Sequence, residues 1–334
     1  MQDIPNNSVP KNIEANAAKA SASLSQAKAN IGAVVYGQDH VVDLAIAAIL
    51  SGGHALLVGV PGLAKTLLVE TLGTVLGLND KRIQFTPDLM PADIVGSEVL
   101  EEDAKGKRSF RFIAGPVFTQ LLMADEINRA SPRTQSALLQ AMQEKIVTVA
   151  GEMHPLPKPF HVLATQNPIE QEGTYPLPEA QLDRFLFQID VGFPTFETER
   201  DILVATTGVN DAKAKKAITA KQLIEMQKLV RQLPVSEGVL NAILTLVREA
   251  RPDQTSIDSI RENVAWGPGP RAGQALMLAT RAKALIEGRL SPSIDDVIEL
   301  ADPVLKHRMA LSFAARAEGQ TISQTIDTLK NHIR

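Results

Sequence analysis

The chain has 334 residues, a formal net charge of −4, no cysteine and only 4% aromatic residues. This length predicts about two domains, each large enough to bury its own core. The lack of cysteine excludes a disulfide framework and a thiolate metal site, and it fits a reducing compartment. The acidic balance and the few aromatic residues argue against a nucleic-acid partner. The six histidines show no spacing typical of a metal site.

The amino-terminal segment lacks the apolar stretch that secretion requires, and no later run reaches the roughly 18 apolar residues of a membrane span. We therefore expect a cytoplasmic protein without a membrane span. Residues 1 to about 10 are expected to form a disordered tip. The segment Lys11–Asn30 predicts a polar, Ala-rich helix. It has too few apolar anchors to be stable alone, so its packing partner must lie elsewhere in the chain.

Apolar runs then alternate with helix-forming segments, which is typical of a parallel sheet covered by helices. The predicted elements are a helix at Val41–Leu50 and strands at Ala55–Val58, Arg82–Thr86, Leu121–Ala124, His161–Thr165 and Phe185–Val191. Leu121–Ala124 is apolar throughout, as expected for a strand buried on both faces. Two insertions, near residues 87–116 and 146–159, read as hairpins, the first with a charged tip between Glu101 and Lys107.

Beyond Pro194 the alternation stops and helical periodicity predicts a second, smaller domain. Its predicted helices are Glu197–Thr206, Ala220–Arg231, Ser236–Ala250, Arg271–Glu287 and Ile294–His307, with Asn210–Lys216 as a linker. Ser293 is the expected N-cap of the last helix. The expected domains are therefore an N-terminal extension (1–30), an α/β domain (31–194) and a helical domain (195–334).

A phosphate-binding loop is predicted at Gly59-Val60-Pro61-Gly62-Leu63-Ala64-Lys65-Thr66, between the first strand and a helix-forming segment. Backbone N–H groups of such a loop surround phosphate oxygens, and the following helix adds its positive N-terminal end. Lys65 would reach the β- and γ-phosphates of a nucleotide, and Thr66 would hold Mg²⁺. The simpler alternative is a Gly/Pro turn between a strand and a helix.

The loop departs from the strict phosphate-loop pattern at Ala64, where that pattern has glycine. We expect position 64 to be already helical, a conformation that alanine favours over glycine. The left-handed or closely approached positions would then be Gly59 and Gly62.

Two carboxylates, Asp125 and Glu126, follow the buried strand Leu121–Ala124. Ligands of open α/β sheets bind at the carboxyl ends of the strands. Asp125 would hold Mg²⁺ through water, and Glu126 would polarise the attacking water for phosphoryl transfer. Acidic residues at a strand end are also common surface features, so the pair gains its meaning from the loop that accompanies it.

The next strand, His161–Thr165, leads into Asn167 and Pro168. The Asn167 amide could hydrogen-bond the attacking water and the γ-phosphate, which orients them without adding charge. A turn-forming Asn before proline is the plain alternative.

Three stretches together resemble the MoxR family of AAA+ ATPases: Gly59–Thr66, Asp125–Ala130 and Asn167–Phe185. The resemblance covers about residues 30–310, and Gln84–Leu89 is similar to the segment ahead of the family's helix-2 insertion. It implies a P-loop NTPase fold, in which a three-layer αβα domain with a parallel sheet is followed by a small all-helical lid. It also implies a ring, a hexamer, with ATP and Mg²⁺ at the subunit interfaces.

The resemblance further implies roles for residues that the motifs alone would not single out. Arg184 corresponds to the finger that reaches a neighbour's γ-phosphate, and Arg271 to the second sensor in the lid. Gly37 and Gln38 fall in the segment that lies against the adenine, although a turn before a helix accounts for them equally. Gly269 stands where the family has serine, which loosens the expected sensor loop.

Structural alternatives to these roles remain open. Arg184 could pair with Asp183 or Glu179 of its own chain, and Arg271 could be an exposed lid arginine. Arg129 and Arg133, just behind the two carboxylates, are further interface candidates. The basic and aromatic cluster between Lys105 and Phe112 could contact nucleic acid, but a hairpin with one packed face gives the same alternation.

These observations predict an ATP-hydrolysing ring whose two hairpins transmit the nucleotide state to a client protein. The resemblance implies a chaperone that assembles or activates complexes, often beside a partner with a von Willebrand factor A-type domain. One alternative is a nucleic-acid motor or loader, which would show salt-sensitive DNA binding. The other is a nucleotide-gated scaffold with little turnover, which would not need Lys65, Asp125, Glu126 and Arg184 together.

Overall fold

The structure, a computed structural model, describes residues 12–102, 106, 108–169, 173–207 and 213–333. The expected disordered tip lies outside these residues. So do parts of the charged hairpin tip and of the predicted linker.

Eleven strands and fourteen α-helices are assigned within the described residues. The strands are β1 (Ala55–Val58), β2 (Asp80–Gln84), β3 (Gly96–Glu102), β4 (Arg108–Ala114), β5 (Leu121–Asp125), β6 (Ile146–Val149), β7 (Glu152–Pro155), β8 (His161–Gln166), β9 (Phe187–Asp190), β10 (Val264–Trp266) and β11 (Ala310–Leu311). The helices are α1 (Ile13–Gly32), α2 (Asp39–Leu50), α3 (Lys65–Leu76), α4 (Pro91–Val95), α5 (Pro132–Glu144), α6 (Glu179–Leu182), α7 (Phe196–Thr206), α8 (Ala220–Gln232), α9 (Glu237–Glu249), α10 (Asp258–Asn263), α11 (Pro270–Ile286), α12 (Ile294–Leu305), α13 (Phe313–Ala317) and α14 (Ile322–His332).

The chain divides into two compact units. The α/β unit is Lys28–Ala220, and the helical unit combines the residues up to Ala27 with Lys221–Arg334. These limits differ from the expected limits at residues 30 and 194. Residues 195–220 stay with the α/β unit because the Ala217 and Ile218 N–H groups both donate to the Val75 carbonyl, at 2.9 and 3.1 Å.

The α/β unit is built on a five-stranded sheet with the order β2-β5-β8-β1-β9, all pairs of which are parallel. This confirms the predicted parallel sheet. Every residue of β5 is buried, as its continuous apolar sequence predicts. All five strands run the same way, so the segments after β1, β5 and β8 meet at one edge, where the candidate site lies.

The largest error in the predicted strands concerns β2, which begins and ends two residues before the expected Arg82–Thr86. Its register with β5 runs from Asp80 opposite Leu121 to Gln84 opposite Asp125. β2 is an edge strand with four exposed residues out of five. Its sequence therefore lacks the continuous apolar run that marks the central strands.

Both predicted hairpins are present, as β3 with β4 and β6 with β7. They touch each other through Phe112 of β4, whose ring stacks on His154 of β7 with centroids 3.9 Å apart. Arg108 and Arg111 of β4 form ion pairs with Glu102 and Glu101 of β3. Phe112 is the half-buried residue of β4, whereas the other six residues of this strand are exposed, so the structure shows cross-strand charge pairs and one ring contact here rather than a fully packed face.

The helical unit contains α8 to α14, the small β10–β11 sheet, and most of α1. The α1 face that includes Ala17, Ala20 and Leu24 is buried. Residues of α1 and α8 line a common cleft, and the Ser21 hydroxyl lies 3.5 Å from the Ile286 carbonyl. The helical unit therefore supplies the packing partner that the Ala-rich helix required. None of the helices in the described ranges combines the length and apolar character that a membrane crossing needs.

Candidate functional site

A cavity of about 550 Å³ opens at the carboxyl edge of the sheet. Its lining combines the loop from Pro61 to Leu67 with Asp125, Glu126 and Asn167. The predicted loop, carboxylate pair and amide are therefore brought together in one place, although the loop and the amide lie more than a hundred positions apart in the sequence. The lining also includes three residues that the sequence analysis did not select: Arg82, Gln84 and Thr165.

The loop takes its shape from two glycines with different tasks. Gly62 has φ +85°, and a Cβ there would meet no described atom within 4 Å. The glycine thus allows a left-handed turn beside open space. A Cβ on Gly59 would lie 2.6 Å from the Val191 carbonyl oxygen. This position must be glycine because the backbone after β9 passes directly against it.

The expectation for Ala64 is wrong. Ala64 is the N-cap of α3 and has φ 53° and ψ 23°, which is the left-handed conformation rather than the helical one. The loop needs a left-handed residue to turn its last N–H groups into the cavity before α3 begins. Glycine would adopt this conformation without strain, whereas alanine pays a steric cost of roughly 1 kcal/mol.

Lys65 begins α3, and its ammonium group is folded back over the loop. Nζ donates hydrogen bonds to the carbonyl oxygens of Gly59 at 2.5 Å and Val60 at 2.7 Å. Burial lowers the pKa of Lys65, while the nearby carboxylates of Asp125 and Glu126 act in the opposite direction. The ammonium group thus lies beside the loop as a hydrogen-bond donor, and phosphate oxygens can replace the two carbonyl oxygens as its acceptors.

Asp125, at the end of β5, is buried and held on both carboxylate oxygens. The Thr165 hydroxyl donates to Oδ1 at 2.6 Å. The Arg82 guanidinium donates to Oδ2 from Nε at 3.1 Å and from a terminal nitrogen at 2.5 Å. β2 and β8 flank β5 in the sheet, so the two neighbouring strands fix the orientation of this carboxylate.

Glu126 follows in a left-handed conformation, with φ 55°. Its N–H donates to the Thr165 hydroxyl at 2.9 Å. Its carboxylate accepts from the Gln84 amide at 2.7 Å and from the Arg129 guanidinium at 2.9 Å. Non-glycine residues in this conformation cost of order 1 kcal/mol and cluster at functional sites. Here the strained turn directs the carboxylate of Glu126 toward the cavity instead of continuing β5.

Asn167 lines the same cavity and is only 6% exposed. Its Oδ1 accepts a hydrogen bond from the Ile169 N–H at 3.1 Å. This is the turn that an Asn before proline predicts. The two interpretations of Asn167 are therefore compatible, because one side chain both closes the turn and faces the cavity.

Comparison with known proteins gives a consistent result. The family model described as "ATPase family associated with various cellular activities (AAA)" matches residues 54–187, and the AAA lid domain matches residues 258–329. "Chaperone MoxR1" of Mycobacterium tuberculosis is 43% identical over 297 residues, which are 89% of this chain and 78% of that protein. "Protein MoxR" of Paracoccus denitrificans is 30% identical over 303 residues, covering 86% of this chain and 88% of that protein.

The chain belongs to the MoxR family of AAA+ ATPases. A crystal structure of a candidate ATPase from Cytophaga hutchinsonii agrees with this assignment, since it superimposes with a TM-score of 0.88 at 37% identity and covers 96% of each chain. The fold class is thereby confirmed as an AAA+ α/β domain followed by a helical lid.

The segment that would lie against the adenine in a MoxR protein is fixed to the phosphate loop. The Gln38 side-chain amide donates to the Leu63 carbonyl at 2.9 Å. Gly37 has φ +66°, and a Cβ there would lie 2.1 Å from Cγ2 of Thr198. Gly37 is therefore required both by its left-handed conformation and by the close approach of Thr198. Contact with adenine remains a prediction for both residues.

Neither of the two arginines that the MoxR resemblance singled out is among the described residues that line the cavity. Arg184 follows α6 and is partly buried, and its Nε has no hydrogen-bond partner among the described residues. Arg271 is exposed in the first turn of α11, in the helical unit. Gly269 is the N-cap of α11 and offers no side chain to close the helix end. The roles of both arginines remain predictions.

The sequence contained one usable signal for the missed residues Arg82 and Gln84. They are two positions apart on a strand, so they share a face. β2 is a parallel neighbour of β5 and ends at the same edge of the sheet as Asp125. Polar residues near the end of β2 are therefore expected at the site. The two-residue error in the limits of β2 obscured this relationship. Arg129, expected as an interface candidate, pairs with Glu126 of its own chain.

The cavity also suits the magnesium nucleotide that the family implies. Among the described residues, no group of three or more His, Cys, Asp or Glu side chains could hold a metal ion. A cation here would instead arrive with phosphate oxygens, as Mg²⁺ commonly does, and use one or two protein oxygens. The Thr66 hydroxyl and the Asp125 carboxylate are hard oxygen donors on the same cavity wall, so this donor set fits Mg²⁺.

Proposed function

We propose that this MoxR-family chain hydrolyses ATP with Mg²⁺ in an oligomeric ring, a hexamer, and uses the energy to assemble or activate a client protein complex. The observation that carries the proposal is the convergence of Lys65, Thr66, Asp125 and Glu126 on one cavity. A chain that only needed a folded turn at this edge would not require a lysine, a hydroxyl and two carboxylates there.

Each residue has a task that its geometry supports. The loop N–H groups and Lys65 bind the phosphates, and Thr66 and Asp125 hold the cation, which neutralises charge on the phosphate oxygens. Glu126 orients the attacking water and accepts its proton, after its carboxylate leaves the Gln84 amide and the Arg129 guanidinium. Asn167 positions the same water from the end of the neighbouring strand, β8.

The proposed ring follows from what one chain lacks at its own site. Arg184, the proposed finger, is not among the described residues that line the cavity, and its Nε has no partner in the described part of the chain. A guanidinium suits a neighbouring subunit's γ-phosphate, because it stays charged and presents a planar fork. Arg271 is the proposed second sensor.

The two hairpins are the proposed client contact. Met153 at one hairpin is 73% exposed and Phe110 at the other is 69% exposed. Because Phe112 stacks on His154, the two hairpins are coupled and can present these side chains as one surface. A partner with a von Willebrand factor A-type domain and a cytoplasmic location belong to the same proposal.

The proposal is tested by measuring ATP turnover per protomer as protein concentration rises. A site completed by Arg184 from a neighbour predicts a rate per protomer that climbs and then saturates. Lys65→Ala is the control variant, and it should show no turnover at any concentration. Constant turnover at every dilution, with a monomer seen by sedimentation at the lowest one, would contradict the ring. No turnover at all would favour the nucleotide-gated scaffold.

A further inference from the structure

A groove in the helical unit lies between α9 and α11 and has a volume of about 830 Å³. Its floor is formed by Ile243 and Val247, which are buried. Its walls include Leu244, which is 51% exposed, and Met277. The α11 residues that line it extend from Pro270 to Leu278, which is about two helical turns. The groove is therefore apolar inside and long enough for a short helical segment.

The rim of this groove is basic. Arg231, Arg248 and Arg251 line it, and none of the described lining residues is Asp or Glu. Arg281 lies one turn beyond Met277 on α11, on the same face. Arg251 donates to the Pro268 carbonyl at 2.9 Å and to the Gln254 side chain at 3.1 Å.

Two lining arginines, Arg231 and Arg248, and the neighbouring Arg281 lack counterions in the described part of the chain. Within the described ranges, Arg231, Arg248 and Arg281 form no ion pair, and the buried Nε of Arg281 has no hydrogen-bond partner. Burial, and then the neighbouring charge of Arg231, lower the pKa of Arg281. Guanidinium groups remain charged in proteins, so the folded chain holds like charges close together beside an apolar groove. Their electrostatic repulsion costs free energy, and a bound carboxylate would remove that cost.

We propose that the α9–α11 groove binds an acidic amphipathic helix of a protein partner. The apolar side chains of such a helix, spaced three and four positions apart, would lie on Ile243 and Val247. Its carboxylates would form charge-assisted, bidentate hydrogen bonds with Arg231, Arg248 and Arg281. Charge complementarity selects this occupant, because a basic or neutral helix would leave the arginines unpaired. The proposal stands on the helical unit alone and does not depend on ATP hydrolysis.

The test is fluorescence anisotropy with the full chain, without nucleotide, and a labelled 16-residue helical peptide (~24 Å long) of leucine and glutamate. The leucines occupy one face, with spacings of three and four. Two control peptides are used: one with lysine in place of glutamate, and one with the same composition in scrambled order. We expect saturable binding of the acidic peptide, at least about tenfold weaker binding of both controls, and weakening by added salt.

Variants of the chain locate the site. Arg231→Glu with Arg248→Glu, and separately Leu244→Asp, should each weaken binding at least about tenfold, because charge pairing and apolar contact are both needed. Both arginines and Leu244 are exposed, so these changes should leave the fold intact. Arg316→Glu is the matched control. It makes one such Arg→Glu change at an exposed position on α13 and should bind like the unaltered chain, whereas Arg231→Glu or Arg248→Glu alone should already weaken binding.

Three results would overturn the proposal. The first is that the acidic peptide does not bind the chain. The second is that the lysine peptide binds as tightly as the acidic peptide, or that the groove variants bind the acidic peptide as tightly as the unaltered chain, which would show that the groove or its charge does not recognise the peptide. In the third result, Leu244→Asp alters the sedimentation of the free chain, and the groove is then an interface between copies. An inactive but peptide-binding chain would count against the proposed ATPase and leave the groove proposal standing.

Discussion

Glu126 illustrates how much one residue's conformation contributes to the site. β5 is a buried strand whose sequence is apolar up to Asp125, and the chain leaves it through a left-handed turn at Glu126. The Thr165 hydroxyl contacts both halves of this turn, since it accepts from the Glu126 N–H and donates to Asp125. A single hydroxyl on β8 therefore holds both the carboxylate of Asp125 and the backbone of Glu126.

Glu126→Gln should bind ATP but lose about 10² to 10⁴ in turnover, the range typical of a general base. The amide keeps the size of the side chain and removes its ability to accept a proton. The measurement pairs ATP binding with steady-state turnover, and Glu144→Gln, an exposed change on α5, serves as the matched control. Turnover retained in Glu126→Gln would remove this residue as the water activator.

Ala64→Gly tests the corrected conformation of the phosphate loop. Because Ala64 has φ 53°, glycine should relieve steric strain and leave the free energy of unfolding unchanged or raise it by up to about 1 kcal/mol. The expectation drawn from the sequence, a helical residue at position 64, requires the opposite sign, a loss of roughly 0.5–1 kcal/mol. Chemical denaturation of both chains decides between the two signs.

At the scale of elements, a pair of buried histidines joins β1 to β8 at the amino ends of the strands. His54 Nδ1 accepts from the Val162 N–H at 2.9 Å, so its proton lies on Nε2, which faces the Met142 carbonyl at 3.2 Å. His161 Nδ1 lies 2.8 Å from the Gly53 carbonyl. Burial lowers the pKa of His54 to about 3 and that of His161 to about 4. Both rings are thus neutral, structural groups.

This pair predicts acid sensitivity. The folded pKa values are below the usual value of 6.5, so the unfolded chain binds more protons, and stability falls as pH drops from about 6.5 toward 4. At pH 5 the loss is roughly 2 kcal/mol per histidine. Denaturation at pH 7 and pH 5 should show a smaller drop for the double change His54→Gln and His161→Gln, since Gln can replace the hydrogen bonds without titrating. Equal drops in both chains would contradict this assignment.

The elements also show what the sequence could predict. Strands with continuous apolar sequence, such as β5, and helices with a clear cap, such as α12 after Ser293, were found within one or two residues. β2 was displaced, because an edge strand carries exposed polar residues such as Arg82. The final helix, α14, was missed, although Thr321 and Gln324 form its capping box. The conformation of Ala64 was not accessible either, because it depends on how the loop meets α3.

At the scale of the whole molecule, mixing two inactive variants tests whether one active site draws on two subunits. Arg184→Ala should bind ATP yet lose about 10³-fold or more in rate, and Lys65→Ala should bind no ATP. In a ring, an intact Lys65 site of the first variant can receive Arg184 from the second. An equal mixture should therefore recover activity, up to about a quarter of the unaltered rate if subunits assemble at random.

The control for this mixture is Lys65→Ala combined with Glu126→Gln. In this control the two variants are mixed as separate chains. Lys65 and Glu126 are both proposed to act on the nucleotide bound to their own chain, so neither variant can supply what the other lacks, and no activity should return. Recovery in the Arg184→Ala mixture alone would identify Arg184 as the residue donated across the interface. No recovery in either mixture, with mixed oligomers demonstrated, would place the finger elsewhere.

The two carboxylates of the site, on Asp125 and Glu126, are paired with arginines of their own chain. Arg82 pairs with Asp125 and Arg129 pairs with Glu126, so two adjacent negative charges already have two resident counterions. Within each pair the charges cancel before any nucleotide arrives, so the chain needs no metal ion to hold its own carboxylates together. The Lys65 ammonium adds a positive charge to the same site. ATP entry then becomes an exchange of counterions, in which arginines released from the carboxylates are free to meet the charge of the incoming phosphates.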